Sequence, residues 1–373
     1  MSFEAYEDIN DNKLVISWLN SQNGISTKTI EKLLEYFETP INIWDNLFEE
    51  KNNLKFLRSN ILEELMKKKV NYKEKLIERL NNEKVSIITL LDEEYPIKLT
   101  NIINPPSILY CKGDIRCLNN LSIAIVGSRK ATEYGKWCAN KFSKELSNLG
   151  VTIISGLAYG IDTISHKSTL KNNGKTIGVI GSGINIVYPL KNRELYEEIE
   201  AKGSLIVTEY PFDREPIAAN FPNRNRIISG LSSGILVIEA QDRSGTLITA
   251  THAAEQGKDV FAVPGNINSI FSVGTNKLIK DGAKLVMSVE DIIEEIRELR
   301  DINRDKAIRS IDYNSLNEVE KQIIALLEKG SMDIDSFCCN INNPTSEILS
   351  NLTILEMKDI VVQTSSKKFM LAN

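Results

Sequence analysis

The stretch Ser122-Ile-Ala-Ile-Val-Gly127-Ser128-Arg129 has the pattern of a buried β-strand that ends in a glycine turn, and Thr132 follows where it can cap a helix. Short apolar runs of this kind alternate with helical patterns from Val85 to about residue 300. Continuous apolar strands separated by helices form parallel sheets that are covered on both faces. The sequence therefore predicts an α/β fold with a Rossmann-like, mostly parallel sheet and helices on both faces.

The alternation is regular enough to predict individual elements. Strands are predicted at 86–91, 108–111, 122–126, 151–154, 176–180, 205–208, 235–238, 260–263 and 284–286. Helices are predicted at 132–149, 160–173, 190–200, 222–232, 245–256, 274–281 and 289–299. Because open α/β sheets bind ligands at the carboxyl ends of their strands, functional residues are expected in the turns that follow them.

Two smaller domains are predicted to flank this Rossmann-like domain of residues 85–300. Residues 1–84 have helical patterns joined around 24–29, a turn that resembles a helix-hairpin-helix or SAM-like unit, although we favour a plain helical hairpin. Residues 301–312 are charged and aperiodic, which predicts a linker. Three short helices and a closing hairpin predict a winged-helix domain over 313–373. Its third helix carries few basic residues, so it is expected to contact protein or to bind DNA weakly.

Composition and charge are those of a soluble globular protein. No apolar run approaches the ~20 residues that span a membrane, and the chain starts with polar and acidic residues, which favours a cytoplasmic protein without a secretory signal. The net charge is -5, yet the part between Leu121 and Met287 has 19 Lys+Arg against 15 Asp+Glu. A mildly basic centre is typical of a confined anion site rather than of a surface that coats DNA.

The cysteines and histidines do not form a metal-binding pattern. Neither the pair Cys111 and Cys117 nor the adjacent Cys338 and Cys339 has zinc-ligand spacing backed by a histidine. A reduced, cytosolic protein without a structural metal is expected. The motif G-x-G-x-x-G is absent from the turn at Gly127, and no G-x-x-x-x-G-K-[ST] occurs in the chain, so no cofactor is expected.

Glycine turns and basic residues follow several of the predicted strands. Because these strand ends meet at one edge of the sheet, their backbone N–H groups, hydroxyls and guanidinium groups are expected to form a groove for an anionic ligand. The candidate residues of this groove are Gly127, Ser128, Arg129, Ser155, Gly156, Gly181, Gly183, Lys191, Ser244, Gly245 and Thr246. Three aromatic residues are candidates for stacking on a nucleobase or, equally, for the core: Tyr159, Tyr188 and Phe221.

The stretch Phe221-Pro-Asn-Arg224-Asn225-Arg226-Ile-Ile-Ser-Gly-Leu-Ser232 places two arginines at the start of a predicted helix. Positive charge there opposes the helix dipole unless an anion lies close. Guanidinium groups suit phosphates and asparagine amides suit sugar or base edges, so Arg224, Asn225 and Arg226 are further candidates for DNA binding. Taken alone, the stretch is explained equally well by ion pairs between these arginines and nearby acids such as Asp213 and Glu215.

No catalytic grouping is evident in the sequence. Asp162 and His166 are one helical turn apart and would suit a general base with its orienting partner, but no nucleophile accompanies them. A contact that stabilises the helix is the interpretation we favour. The site is therefore predicted to bind a ligand rather than to react with it, and the protein is expected not to be an enzyme.

In their order along the chain, these motifs resemble the DNA-processing protein A family, also called Smf. The resemblance covers about 85–290, and its motifs are Gly127-Ser128-Arg129, 155–162 with His166, Gly181-Ser182-Gly183 with Tyr188-Pro189, 221–232, 239–246, 263–265, 274–276 and 281–283. Many members have a cysteine where this chain has Ser182, a change that is expected to matter little.

The resemblance implies a cytosolic protein that binds single-stranded DNA as a homodimer and helps to load the RecA recombinase onto it. In competent bacteria, this activity protects incoming DNA and supports natural transformation. Carried over to this chain, the resemblance implies DNA contacts by Arg129 with Gly127 and Ser128, by Lys191 after the Tyr-Pro motif, and by Arg224 and Arg226.

Two other functions are alternatives. Phosphoribohydrolases of the lysine-decarboxylase-like family share a related sheet, but of their P-G-G-x-G-T-x-x-E motif this chain lacks the initial Pro-Gly-Gly and has Thr249 in place of the glutamate. Loss of these residues removes the catalytic chemistry of that family and leaves a turn that is suited to binding phosphate. The other alternative is a scaffold that acts through protein contacts, because the predicted helix 289–299 has an apolar stripe, for which a place in the core is the default.

Overall fold

The computed structural model describes residues 10–310, 313, 316–364 and 366–372, with the backbone alone described for 304–310. A bundle of helices comes first along the chain, a large α/β unit follows, and a small unit of helices and two strands comes last. This order agrees with the predicted architecture, while the predicted domain boundaries stay predictions. None of the described helices has both the length and the apolar character needed to cross a membrane.

Five helices form the first part of the described chain. They pack around Trp18, which is fully buried and donates its indole N–H to the carbonyl oxygen of Leu65 at 3.1 Å. Ser26 caps α2, because its hydroxyl oxygen accepts the backbone N–H of Thr29 at 3.2 Å. The five helices are α1 (Asp11–Asn20), α2 (Thr27–Phe37), α3 (Pro40–Asn46), α4 (Ser59–Lys69) and α5 (Tyr72–Glu83).

Nine strands form one sheet in the order β1-β2-β6-β5-β4-β3-β7-β8-β9. The strands from β6 to β9 in this order are parallel, and β1 and β2 add an antiparallel edge. All nine predicted strands are confirmed, with ends shifted by at most two residues. Their bounds are β1 (Val85–Thr89), β2 (Ile108–Gly113), β3 (Ser122–Gly127), β4 (Thr152–Ser155), β5 (Thr176–Val179), β6 (Leu205–Thr208), β7 (Gly234–Ile238), β8 (Asp259–Ala262) and β9 (Lys284–Leu285).

Helices cover both faces of the sheet, as the apolar strands require. Because side chains alternate along a strand, Ala124 and Val126 of β3 join one core and Ile123 and Ile125 join another. The first core includes apolar side chains of α6, α10 and α11, and the second includes those of α7 and α13. The helices are α6 (Ile97–Thr100), α7 (Glu133–Asn148), α8 (Ile161–Lys171), α9 (Arg193–Ala201), α10 (Asn220–Leu231), α11 (Gly245–Glu255), α12 (Val273–Lys280) and α13 (Glu290–Glu295).

The segment predicted to be an aperiodic linker is helical as far as Ser310, in α14 (Arg297–Ser310). Leu299 is fully buried, and the side-chain N–H of Asn303 donates to the carbonyl oxygen of Leu371 at 2.9 Å. These tertiary contacts favour a helix where the local pattern of charged residues gave no periodic signal. Residues 311 and 312 lie outside the described residues, and a linker role for this segment stays a prediction.

The last part of the described chain has three helices and a two-stranded antiparallel sheet, in the order that the sequence predicts. Its core is centred on Phe337, which is fully buried and meets Phe369 edge to face with ring centroids 6.3 Å apart. The elements are α15 (Glu318–Leu327), α16 (Ile334–Asn340), α17 (Thr345–Met357), β10 (Val361–Gln363) and β11 (Phe369–Leu371). The winged-helix assignment of this unit stays a prediction.

Candidate nucleic-acid interface

A cleft of about 660 Å³ opens at the carboxyl ends of β3 and β7. These two strands are neighbours, and the chain leaves β3 towards β4 on one side and leaves β7 towards β8 on the other. Such a switch point leaves a crevice between the two following turns, where open α/β sheets bind ligands. We call it the sheet-edge cleft, and its lining includes Gly127, Ser128, Arg129, Lys130, Tyr188, Phe221, Arg224, Asn225, Gln241, Ser244, Gly245, Thr246 and Thr249.

The turn after β3 is held rigidly beneath an exposed arginine. A Cβ atom added at Gly127 would lie 1.9 Å from the carbonyl oxygen of Ile238, so only glycine fits there. The carbonyl oxygen of Ser128 accepts the backbone N–H of Ile161 at 3.1 Å, and its hydroxyl accepts the N–H of Lys130 at 3.1 Å. The backbone is therefore fixed at the point where the side chains of residues 129 and 130 reach solvent.

Arg129 and Lys130 bring positive charge to the cleft. Both are exposed, and neither has a carboxylate at ion-pair distance among the residues that the structure describes. The guanidinium carbon of Arg129 lies 5.9 Å from the centroid of the Phe221 ring, within the range of a cation–π contact. The cleft therefore offers cations that are free to meet an anionic ligand.

The opposite wall of the cleft is the start of α11. Thr246 donates its hydroxyl to the carbonyl oxygen of Gly127 at 3.1 Å, which fastens this helix to the β3 turn. Ser244 precedes the helix without capping it, and its buried hydroxyl has no hydrogen-bond partner among the described residues. The first N–H groups of α11 thus lack a side-chain cap, and a helix start of this kind favours anions.

Aromatic side chains form the rim of the cleft. The rings of Tyr188 and Phe221 lie with centroids 5.5 Å apart and planes inclined by 39°. Tyr188 is 44% exposed, so part of its side chain is accessible to a ligand. Tyr159 is exposed as well but does not line this cleft.

Arg224 differs from Arg129 because its guanidinium group is used inside the protein. The side chain is buried and donates to the carbonyl oxygen of Gly156 at 2.7 Å and to that of Val179. Burial lowers the pKa of this guanidinium group, and burial raises the pKa of the neighbouring Asp162 carboxyl against the opposing charge of Arg224. Arg224 therefore ties the ends of β4 and β5 to α10, and only its edge contributes to the cleft.

Arg226 lies on another side of α10. It pairs with Glu209 at 2.6 Å and also donates to the carbonyl oxygen of Asn104 at 2.9 Å. Neither arginine pairs with Asp213 or Glu215 among the described contacts, and Asp213 instead pairs with Arg79. The expectation that an acid neutralises an arginine is confirmed for Arg226, but with a different acid.

The remaining candidates lie outside the lining of the cleft. Ser155, Gly156, Gly181 and Gly183 are buried, and their polar groups bond internally; for example, the N–H of Gly156 donates to Asp162 at 3.1 Å. Lys191 is exposed in a short 3-10 helix, 190–192, just after Tyr188. The structure therefore brings together the turns after β3 and β7 with the start of α10, and gives the other glycine turns a supporting role.

Asp162 and His166 do not form an acid–base pair. The imidazole Nδ1 of His166 lies 2.6 Å from the hydroxyl of Thr176, and Asp162 accepts backbone N–H groups of its own turn. Burial, reinforced by the charge of Arg224, lowers the pKa of His166 to about 3. The described residues also bring together no three side chains suited to holding a metal ion.

Among the polar residues of the lining, Lys130 and Gln241 were missed as candidates at the level of sequence. The signal for Lys130 was its place next to Arg129 in an exposed turn. Gln241 lies within the motif 239–246 but gave no signal of its own, since a single polar residue in a loop is ordinary.

The model of the family described as DNA recombination-mediator protein A matches residues 86–297, more than half of the chain. The protein belongs to this family. The chain is 44% identical over 215 residues to the DNA processing protein DprA of Bacillus subtilis, a match that covers 57% of this chain and 72% of the relative. It is 45% identical over 205 residues to the protein Smf of Escherichia coli, which covers 55% of each chain.

Solved structures of family members share the fold. The structure of DprA from Streptococcus pneumoniae aligns with a TM-score of 0.63 at 36% identity, over 76% of this chain and 96% of that one. The structure of DNA processing protein A from Helicobacter pylori, which was described for its mode of binding single-stranded DNA, aligns with a TM-score of 0.52 at 31% identity, over 58% of this chain and 96% of that one. The Rossmann-like α/β sheet is thereby confirmed as the family's fold.

Proposed function

We propose that this protein binds single-stranded DNA without regard to sequence in the sheet-edge cleft. The observation that carries the proposal is the unneutralised Arg129, held on a rigid turn at the switch point of the sheet. Membership of a DNA recombination-mediator family supports DNA as the anionic ligand. The single-stranded form is supported by the binding mode for which the Helicobacter pylori relative was described.

The lining residues suggest how a strand is held. Arg129 and Lys130 neutralise phosphates, and the uncapped start of α11 at Ser244 receives another phosphate on backbone N–H groups. The rings of Tyr188 and Phe221 offer a surface on which a base can stack, whatever its identity. Because these contacts use the backbone and the faces of bases, binding is expected to be independent of sequence.

The finer parts of the function follow from the family resemblance. We propose that the protein works in the cytoplasm as a homodimer, that it assists loading of the RecA recombinase onto the bound strand, and that it takes part in natural transformation where the host is competent. Two copies of the cleft in one dimer would raise the affinity for long strands through avidity.

Binding without catalysis is the role we propose for the cleft. Thr249 is buried in the place where the related phosphoribohydrolases need a glutamate, and its hydroxyl donates to the carbonyl oxygen of Gly245 at 3.4 Å. The low pKa of His166 leaves that side chain a weak base. Incubation with nucleoside monophosphates should therefore release no free base, and release above that of the boiled protein would support the enzymatic alternative.

A fluorescence-anisotropy titration of the full chain tests DNA binding. Labelled single-stranded and duplex oligonucleotides of the same sequence are compared at low and high salt. The proposal predicts tighter binding of the single strand and an affinity that falls steeply with salt. Equal affinity for both forms, or no binding by the folded protein, would contradict it.

Loading of RecA needs its own test. The protein is added to single-stranded DNA covered with single-strand-binding protein, and the DNA-dependent ATPase activity of RecA is followed. Faster onset of ATPase activity is expected, and the onset should depend on Arg129. Unchanged onset with a protein that binds DNA would limit the proposal to binding.

A further inference from the structure

A second cleft, of about 510 Å³, lies between the N-terminal helices and the sheet unit. Its walls are the turn before α2, the segment after β6, and the faces of α10 and α11 that point away from the sheet-edge cleft. We call it the interdomain cleft, and its lining includes the cations Lys28, Arg214 and Arg226, the acids Glu209 and Glu255, and Gln256.

The interdomain cleft has two cations without an ion-pair partner among the described residues. Lys28 is exposed, and Arg214 is half-buried; neither has a carboxylate at ion-pair distance among the described residues. Burial lowers the pKa of Lys68, the charge of Glu64 raises it and the charge of Arg214 lowers it, so Lys68 lies near both an acid and Arg214. Glu209, which pairs with Arg226, and Glu255 also line the cleft, so Lys28 and Arg214 are the lining cations left without an ion pair among the described residues, and these two favour an anionic ligand.

Two buried polar atoms of the lining lack partners. Arg214 donates through Nη1 to the side-chain oxygen of Asn23 at 2.5 Å, but its Nε has no acceptor among the described residues. Gln256 donates to the carbonyl oxygen of Arg226 at 3.1 Å, but its Oε1 has no donor there. One donor and one acceptor without partners in the same cleft suit a ligand that offers both, as a nucleotide does with its phosphate and base.

The two clefts are neighbours across one helix. Phe221 and Asn225 of α10 line the sheet-edge cleft, whereas Asn223 and Arg226 of the same two turns line the interdomain cleft. An α-helix with its side chains is about 10 Å across, so a strand that leaves one cleft reaches the other within a few nucleotides.

We propose that the interdomain cleft is a second subsite for the bound single strand. Lys28 and Arg214 meet phosphates of the strand as it continues over the start of α10, and Gln256 meets the edge of a base. The proposal rests on the proposed function, because it extends the same strand from the sheet-edge cleft.

The test compares short and long DNA on the full chain. Anisotropy titrations use labelled oligothymidylates of about 3 and about 20 nucleotides, the first too short to fill the sheet-edge cleft and also cross α10. The double variant Lys28→Gln, Arg214→Gln is expected to bind the long strand about 10-fold more weakly, with a salt slope lower by about 1.4 because two phosphate contacts are lost. Its affinity for the short strand should equal that of the unmodified protein.

Two control variants distinguish the loss of a positive charge in the cleft from the loss of a structural contact. Lys32→Gln removes the same charge from the same helix outside the cleft, and should leave both affinities unchanged. Asn23→Ala removes the side-chain acceptor of Arg214 but keeps the cation, and should also bind the long strand normally. If Asn23→Ala weakens binding as much as Arg214→Gln alone, Arg214 acts by fastening the N-terminal helices, and the subsite proposal is wrong.

The remaining outcomes distinguish this proposal from the one on which it rests. Absence of binding by the unmodified protein at either length would contradict the proposed function itself. Normal binding of the long strand by the double variant would overturn the second subsite alone. Competition with thymidine monophosphate is the last measurement. If the mononucleotide needs Lys28 and Arg214 for binding, and these residues have no effect on the long strand, the cleft is a site for free nucleotide. That result would overturn the proposal.

Discussion

The turn after β3 and the start of α10 both carry arginines, and both border the sheet-edge cleft. In the first region the backbone is fixed and the guanidinium of Arg129 is left exposed. In the second region the guanidinium of Arg224 is buried on two carbonyl oxygens, and that of Arg226 is paired with Glu209. The first arginine is thus available to a ligand, whereas the other two hold the site in shape.

This difference shows that an arginine motif in a binding family has two separate uses. An exposed arginine on a rigid turn contributes binding free energy and little stability. A buried one contributes stability, because its removal leaves carbonyl oxygens without donors. The two classes can be separated by measuring unfolding and binding on the same variants.

The largest expected effect is that of Arg224→Ala on stability. Loss of the guanidinium group leaves the carbonyl oxygens of Gly156 and Val179 without their donor, so the free energy of unfolding should fall by about 3 kcal/mol. Urea denaturation followed by circular dichroism measures it. A variant that keeps its stability but loses DNA binding would place Arg224 with Arg129 and remove the distinction.

Acid should destabilise the same buried region through His166. The pKa of His166 is about 3 in the folded protein against an ordinary value of 6.5, so the unfolded chain takes up a proton first as the pH falls. Neutral His166 therefore makes its full contribution to the free energy of unfolding above pH 6.5. This contribution is lost as the pH falls towards 3, by at most about 1.4 kcal/mol per pH unit.

Urea unfolding between about pH 7 and about pH 5 measures this loss. His166→Gln should flatten the decline. Equal slopes for the unmodified protein and for His166→Gln would show that this histidine is not the group responsible.

Arg129→Ala should affect binding and leave folding intact. Loss of one charged phosphate contact should weaken binding of single-stranded DNA about 10-fold and lower the salt slope by about 0.7. The unfolding free energy should stay within about 0.5 kcal/mol. Arg116→Ala is the matched control, because that exposed arginine follows β2 at the opposite edge of the sheet.

The smallest effect is expected for Lys191→Gln. This lysine is exposed beside Tyr188 but does not line the cleft, so affinity should fall only about 2-fold, in line with a screened charge at the rim. Lys171→Gln, at the far end of α8, is the control. A loss as large as that of Arg129→Ala would mean that the strand runs along residues 188–192.

The sheet was predictable because its signal is local. The apolar strand 122–127, followed by Thr132 as a helix cap, is recognisable from its own residues, and all nine strands were predicted from local apolar runs. The helix over 301–310 was not predictable, because Asn303 and Leu299 gain their partners only from distant parts of the chain.

The position of the sheet-edge cleft was predictable from the sequence. Which of its arginines face the ligand and which support the structure was not. Glycine turns at strand ends indicated where Gly127, Ser244 and Thr246 would meet, and they do meet. Whether an arginine points outwards or into the protein depends on which carbonyl oxygens the fold leaves without donors, and the sequence around Arg224 does not contain that information. The interdomain cleft is likewise formed by residues nearly two hundred positions apart, such as Asn23 and Arg214.

Photo-cross-linking tests the central claim most directly. A single-stranded oligonucleotide containing 4-thiothymidine is irradiated with the full chain, and the modified peptides are mapped by mass spectrometry. Cross-links should fall in the segments 127–130 and 221–225 and at Tyr188, and should be lost in Arg129→Ala at moderate salt. Cross-links confined to α15–α17, with none around the sheet-edge cleft, would contradict the account.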